Sequence, residues 1–174
     1  RFLGILNASG GDGDQNGGDA GSIVVTTTGS RSGIDSNFAM FAVGGDATDL
    51  DGGDGGLIRL ENTGGASLPG GSPIILGAAA NLSVAGGNGG DTAGNGGDGG
   101  RVILNTDLAQ NAGVVFSEIH VGGTIIAIGG DAGVGGALGG NGGDVLIRGY
   151  GGRVSVNRID ASGGDSDRGN TGGD

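Results

Sequence analysis

The chain has 174 residues, 49 of them glycine, with no cysteine, no lysine and a formal net charge of −11 from seventeen Asp and two Glu against eight Arg. That balance excludes disulfide and thiol chemistry, a nucleic-acid partner, which needs a basic footprint, and a P-loop, which needs its lysine. With 34% hydrophobic and 3% aromatic residues, the length allows one domain with a thin core, and ordering so much glycine requires a compensating lattice of hydrogen bonds.

The chain opens at Arg1, with no initiator methionine and no signal peptide, the expectation for a processed product or a piece of a longer chain. Its first unit sets Leu6 and Ala8 before a corner, Gly10-Gly11-Asp12, and then runs through a second corner, Gly17-Gly18-Asp19, into Ile23 and Val25. In the second unit Met40 and Ala42 lead into Gly44-Gly45-Asp46, and Gly52-Gly53-Asp54 leads out to Ile58 and Leu60. Pro69 and Pro73 follow in a loop, where missing amide donors do least harm. The third unit repeats the plan with Leu82, Val84 and Gly86-Gly87-Asn88, then Gly96-Gly97-Asp98, Val102 and Leu104. The fourth has Ile125, Ala127 and Gly129-Gly130-Asp131, then Gly139-Gly140-Asn141, Val145 and Ile147. The fifth sets Ile159 and Ala161 before Gly163-Gly164-Asp165 and stops at Gly172-Gly173-Asp174 without the strand that should follow. That end is expected either to continue in a parent chain or to be completed by another subunit, joined head to tail.

The leading corners at 10, 44, 86, 129 and 163 are spaced by 34, 42, 43 and 34 residues, so loops of variable length separate about five fixed units of a single repeat domain spanning 1–174. Apolar residues alternate at period two on both sides of the corners, the pattern of strands with one buried face. Strands are expected near 22–26, 38–43, 57–60, 73–76, 101–104, 113–116, 124–128, 144–148 and 153–156. The opposite face after the second corners reads Val24, Arg59, Ile103 and Leu146, which predicts cover on both sides for the middle units. Nowhere do apolar residues keep the i, i+3, i+4, i+7 spacing of a helix. The expected fold class is all-β, a glycine-rich repeat solenoid resembling a parallel β-helix, without helices. Composition of this kind also suits a disordered chain; the register of the apolar residues argues for order.

Between the corners the glycines change rhythm. Gly87, Gly90, Gly96 and Gly99 fall on a period of three, as do Gly130, Gly133, Gly136, Gly139 and Gly142. Three is the period of polyproline II, whose glycine edge allows close backbone approach; extended segments packed side by side and plain surface loops are the two readings.

The Asp and Asn residues after the glycines also have two readings. Gly139-Gly140-Asn141-Gly142-Gly143-Asp144-Val145-Leu146 meets the GGxGxDxU pattern of calcium-binding β-rolls, and residues 86–91, ending in Asp91, meet most of it. Asp98, Asn141, Asp144 and Asp91 are the candidate calcium ligands, as oxygen donors suited to a hard cation. The other reading is that these residues close Asx-turns onto the backbone. Asn7 and Asn81 head Asn-x-Ser acceptor sequences for N-glycosylation, and strand parity points both away from the core. The single histidine, His120, falls in an expected strand and cannot form a multi-histidine metal site. Asp49 with Asp51, and Asp165 with Asp167, sit in glycine-rich turns rather than facing each other across a cleft, so no catalysis is expected.

The run Gly96-Gly97-Asp98-Gly99-Gly100-Arg101-Val102-Ile103-Leu104 and the alternation Ile159-Asp160-Ala161-Ser162-Gly163-Gly164 resemble the glycine-rich strand repeats of bacterial filamentous-haemagglutinin-type adhesins and related surface proteins. The resemblance implies a secreted, parallel β-helical shaft in adhesion or a surface fibre. The uneven spacing and the period-three runs are similar instead to the polyproline II sandwiches of phage adhesin tips and arthropod antifreeze proteins; an ice-binding role would want a regular Thr array, and only Thr26-Thr27-Thr28 offers one. The expected function is a non-enzymatic structural subunit of an extracellular or cell-surface filament. Its expected partners are copies of itself and surface glycans, with no nucleic acid and no membrane insertion. It requires no cofactor, with calcium as the one candidate. The alternative is a monomeric, calcium-stabilised adhesive or receptor-binding module.

Overall fold

The computed structural model describes residues 4–28, 33–63, 73–106, 117–135 and 138–166. The apolar run at 113–116, Pro69, Gly136, Asp167 and the corner Gly172-Gly173-Asp174 lie outside the described residues. Among the described residues there is no helix, and the strands are β1 (Leu6–Asn7), β2 (Ser22–Thr27), β3 (Ile34–Ser36), β4 (Met40–Phe41), β5 (Leu57–Asn62), β6 (Ile74–Leu76), β7 (Leu82–Ser83), β8 (Arg101–Thr106), β9 (Ser117–Ile126), β10 (Asp144–Gly149) and β11 (Gly151–Asp160).

All the strand pairs are parallel, and they form two sheets. One has the order β10-β8-β5-β2; the other runs β1-β4-β7-β9-β6-β3, with β11 paired to β9. The register joins equivalent residues of successive units. In the first sheet Ile23 pairs with Ile58, Ile58 with Val102 and Val102 with Val145. In the second, Leu6 pairs with Met40, Met40 with Leu82, Leu82 with Ile125 and Ile125 with Ile159. A shift by one residue would turn every inward side chain outward, so the alternation fixes this register.

The inward side chains of both sheets form one core. Met40, Leu82 and Ile125 from the second sheet and Ile58, Leu60, Val102 and Leu104 from the first are essentially inaccessible to solvent, as are Ala42, Val84 and Ala127 two residues before the corners. Burying a side chain of Leu or Ile size contributes about 1.5–3 kcal/mol. The outermost strands are less covered: Ile159 is 47% exposed whereas its neighbour Ile125 is at 0%.

The outer face of the first sheet is not sealed as its apolar residues suggested. Val24 is 57% exposed; Ile103 and Leu146 are half-buried, and Arg59 is exposed, with its guanidinium 2.6 Å from Glu61 on the same face. A charged pair in the row keeps that surface wet.

The long strand β9 spans both β6 and β7, which a turn at residues 77–81 separates. Gly122 and Gly123 make room for that turn. A side chain at Gly123 would press on the backbone of Ala80, 2.5 Å from its oxygen.

Ala127 is fully buried in the core. Ala127→Leu is expected to lower stability by about 1–3 kcal/mol through overpacking, and an unchanged midpoint in thermal denaturation would show that this position does not face the core.

Candidate functional site

The corners are where the chain departs from strand geometry, and their three residues take three separate directions. The first glycine of a leading corner faces the second corner of its own unit, and that of a second corner faces the leading corner of the next unit, as Gly52 faces Gly87. A Cβ added to Gly44 would strike the carbonyl oxygen of Gly53, and one on Gly86 that of Gly97. The second glycine faces the same corner of the adjacent unit, so that a Cβ on Gly87 would strike the Gly45 oxygen and one on Gly97 the Gly53 oxygen. Only the third residue, Asp or Asn, points to solvent. The period of three therefore has a steric cause where units pack on each other: at Gly44-Gly45 and Gly86-Gly87 the first two positions have no room for a side chain, whereas the space beside Gly11 is open.

The three amides of a corner have three different acceptors. In Gly44-Gly45-Asp46 the first donates to Ala85 O in the next unit (2.9 Å), the second to Gly18 O in the facing layer (2.9 Å) and the third to the Asp12 carboxylate (3.0 Å). Gly86-Gly87-Asn88 repeats this with Ile128 O (2.9 Å), Gly53 O (2.8 Å) and Asp46 Oδ1 (2.7 Å). The middle amides form a zigzag between the leading and second corners: Gly53 donates to Gly45, Gly87 to Gly53, Gly97 to Gly87, Gly130 to Gly97, Gly140 to Gly130 and Gly164 to Gly140.

Each Asp or Asn of these rows closes a two-point clasp on one residue of the next unit. Asp54 Oδ1 accepts the Asp98 amide (2.8 Å) while the amide after it, Gly55, donates to Asp98 O (2.8 Å). The same clasp joins Asp12 to Asp46, Asp46 to Asn88, Asn88 to Asp131 and Asp131 to Asp165 in one row, and Asp19 to Asp54 and Asp98 to Asn141 in another. A third row, Asn16 to Asp51 to Asn95 to Leu138, lies just before the second corners. Elsewhere Ser9 Oγ accepts the Val43 amide (3.2 Å), and Asn81 Oδ1 accepts that of Thr124 (2.9 Å).

In the structure these residues have a role between units that neither the metal-ligand nor the Asx-turn reading includes. The third row had not been singled out; its signal is that Asn16, Asp51 and Asn95 each immediately precede a second corner. Asp51, considered above as half of a carboxylate pair, has its oxygen engaged by both the amide and the side-chain Nδ2 of Asn95 (2.8 and 3.1 Å).

Three of the four candidate calcium ligands do come together. Asp98, Asn141 and Asp144 line an open groove of about 370 Å³ floored by the glycines at 55, 56, 99, 100, 142 and 143, with Arg101 at its side. Arg101 Nε lies 3.8 Å from Asp144 Oδ2, placing a cation beside one of the two carboxylates. Asp91 sits apart, in the exposed turn at 91–93. Among the described residues, no three His, Cys, Asp or Glu side chains are gathered so as to hold a metal ion. His120 lies in β9 between Ile75 and Ser155. Asn7 is exposed, its Oδ1 accepting the Ser9 amide (2.9 Å), while Asn81 is half-buried with its oxygen in the row contact described above.

Comparison of the chain with protein-family models, curated proteins and solved structures finds no match.

Asp160 has a lowered pKa. The Ser162 hydroxyl, which donates to Oδ1 at 3.0 Å, and then the Ser162 amide hold it below the ordinary 3.8, with Arg158 adding a smaller effect. A lowered folded-state pKa stabilises the fold above the unfolded value and ceases to do so as pH falls through the folded one. Asp160→Asn is thus expected to be the less stable protein at neutral pH, with the difference in denaturation midpoint closing as pH falls below the ordinary 3.8 and through the lowered folded-state value. A gap independent of pH would remove the ionised carboxylate from the account.

Asp54→Ala deletes an acceptor and is expected to cost about 0.5–1.5 kcal/mol, whereas Asp54→Asn keeps the oxygen and most of the stability. Equal losses in urea denaturation would mean that the clasp is not what the side chain contributes. Gly97→Ala should be far worse, beyond about 3 kcal/mol, because backbone rather than a movable side chain occupies the space.

Proposed function

We propose that this chain is a structural, non-catalytic segment of an extracellular or cell-surface fibre or adhesin, built as a glycine-rich parallel β-solenoid flanked by polyproline-II-like segments. The observation that carries the reading is the register: each unit offers the next the same inward side chains and the same amide and Asx acceptors. A surface of this kind is complementary to another copy of itself. Head-to-tail association of copies follows, with the last unit of one chain taking the first unit of another as a further repeat. The resemblance to filamentous-haemagglutinin-type repeats points to the same class of role.

A second reading has one observation behind it. The groove holding Asp98, Asn141 and Asp144 suits a monomeric module that takes calcium and binds a surface ligand such as a glycan. Electron microscopy of concentrated native protein separates the two. Filaments whose axial repeat matches one chain support the fibre subunit. Isolated short particles at all concentrations, together with calorimetric heat on adding calcium, would replace it with the module.

A further inference from the structure

Four Asn residues stand directly before glycine: Asn16, Asn88, Asn95 and Asn141. This dipeptide is the one most prone to ring closure, because glycine leaves the following amide unhindered and its backbone free to swing toward the side chain. In that reaction the glycine nitrogen attacks the Asn Cγ, an N–C bond forms, the bond to Nδ2 breaks and ammonia leaves with the proton. Water then opens the cyclic imide at either carbonyl, giving aspartate or isoaspartate.

The clasp holds both reacting groups of this step. At Asn88, the Gly89 amide donates to Asp131 O (2.9 Å) and the side-chain oxygen accepts the Asp131 amide (2.9 Å). At Asn95, the Gly96 amide donates to Leu138 O (2.9 Å), the oxygen accepts the Leu138 amide (3.0 Å) and Nδ2 donates to Asp51 (3.1 Å). Nucleophile and electrophile are each tied to one residue of the neighbouring unit, and neither is able to turn onto the other until that unit lets go.

We propose that Asn88 and Asn95 are latent sites of covalent modification, silent while the fourth unit is docked on the third and reactive toward water-dependent deamidation when it separates. The products would mark the event irreversibly. At Asn88 the uncharged amide stands between Asp46 and Asp131, and its loss as ammonia would leave five carboxylates in succession along the row from Asp12 to Asp165, where like charges on neighbouring units repel. Isoaspartate would instead insert a methylene into the backbone and carry the next glycine out of its period of three, so the unit could not clasp again.

The test is peptide mapping by mass spectrometry of the full chain incubated at mildly alkaline pH, folded, in sub-denaturing urea and fully unfolded, with Asn88→Asp as the control that abolishes the mass gain at that peptide. Local opening sets the folded rate. The expected result is conversion at Asn88 and Asn95 at least about tenfold slower in the folded than in the unfolded chain, rising steeply with urea before global unfolding. Folded and unfolded rates within about twofold of each other would overturn the proposal, as would a folded rate unresponsive to urea until the whole chain unfolds.

Discussion

Backbone packed against backbone, too close for any side chain between, is the constraint on which this protein depends. Where a core is made of side chains, amides are satisfied inside the strands and the side chains fill the space. In the corner region the glycine main chains are themselves the filling, so each amide must find a partner in a direction set by the packing. One goes along the layer, one between the leading and second corners, and the third has only the neighbouring unit's Asx oxygen within reach. An unsatisfied amide would forfeit about 1–3 kcal/mol, so the rows of Asp and Asn on the surface follow from the glycine content of the interior. Asp and Asn serve alike here because the backbone needs an oxygen rather than a charge; Asn88 and Asn141 occupy the rows on equal terms with their aspartate neighbours.

The two halves of each unit divide the energetics. The strand half is held by ordinary apolar burial around Ile58, Leu60, Leu82 and Ile125. The corner half gains little from side-chain burial, and each ordered glycine carries roughly 0.5–1 kcal/mol more entropic cost than alanine would. Close hydrogen bonding in three directions offsets that cost. The halves meet at the small residues Ala42, Val84 and Ala127, where the apolar alternation ends and the triplets begin. Neither half would specify the register so firmly alone: the strands set which face is inward, and the clasps set which residue of the neighbour each residue meets.

The strand half was legible in the sequence because its signal is local. Period-two apolar residues at fixed distances from each Gly-Gly-Asx identified Leu6, Met40, Leu82, Ile125 and Ile159 as equivalents, and the structure pairs them in that order. The short strand β3 was missed, since Ile34-Asp35-Ser36 carries a single apolar residue and owes its extension to pairing with Ile74–Leu76. Of the candidate ligands read from the sequence, Asp98, Asn141 and Asp144 line one groove, and Asp91 lies in a separate exposed turn. The clasp itself was illegible: its two bonded partners lie 34 to 44 residues apart, and a motif within one unit does not show where an oxygen in the next will fall. Turn chemistry and ion binding were the readings available because both can be framed within a single unit.

Paired residues in adjacent strands are close in space yet far apart along the chain: Leu6 and Met40, Met40 and Leu82, Leu82 and Ile125. The lattice thus stores contour. Hydrogen bonds between units run along the direction in which the units follow one another, so a pull in that direction loads them a unit at a time. A unit that yields remains covalently attached and pays out its own length, on the order of 110–150 Å for 34 to 43 residues drawn straight. A body made in this way is also a folded tether.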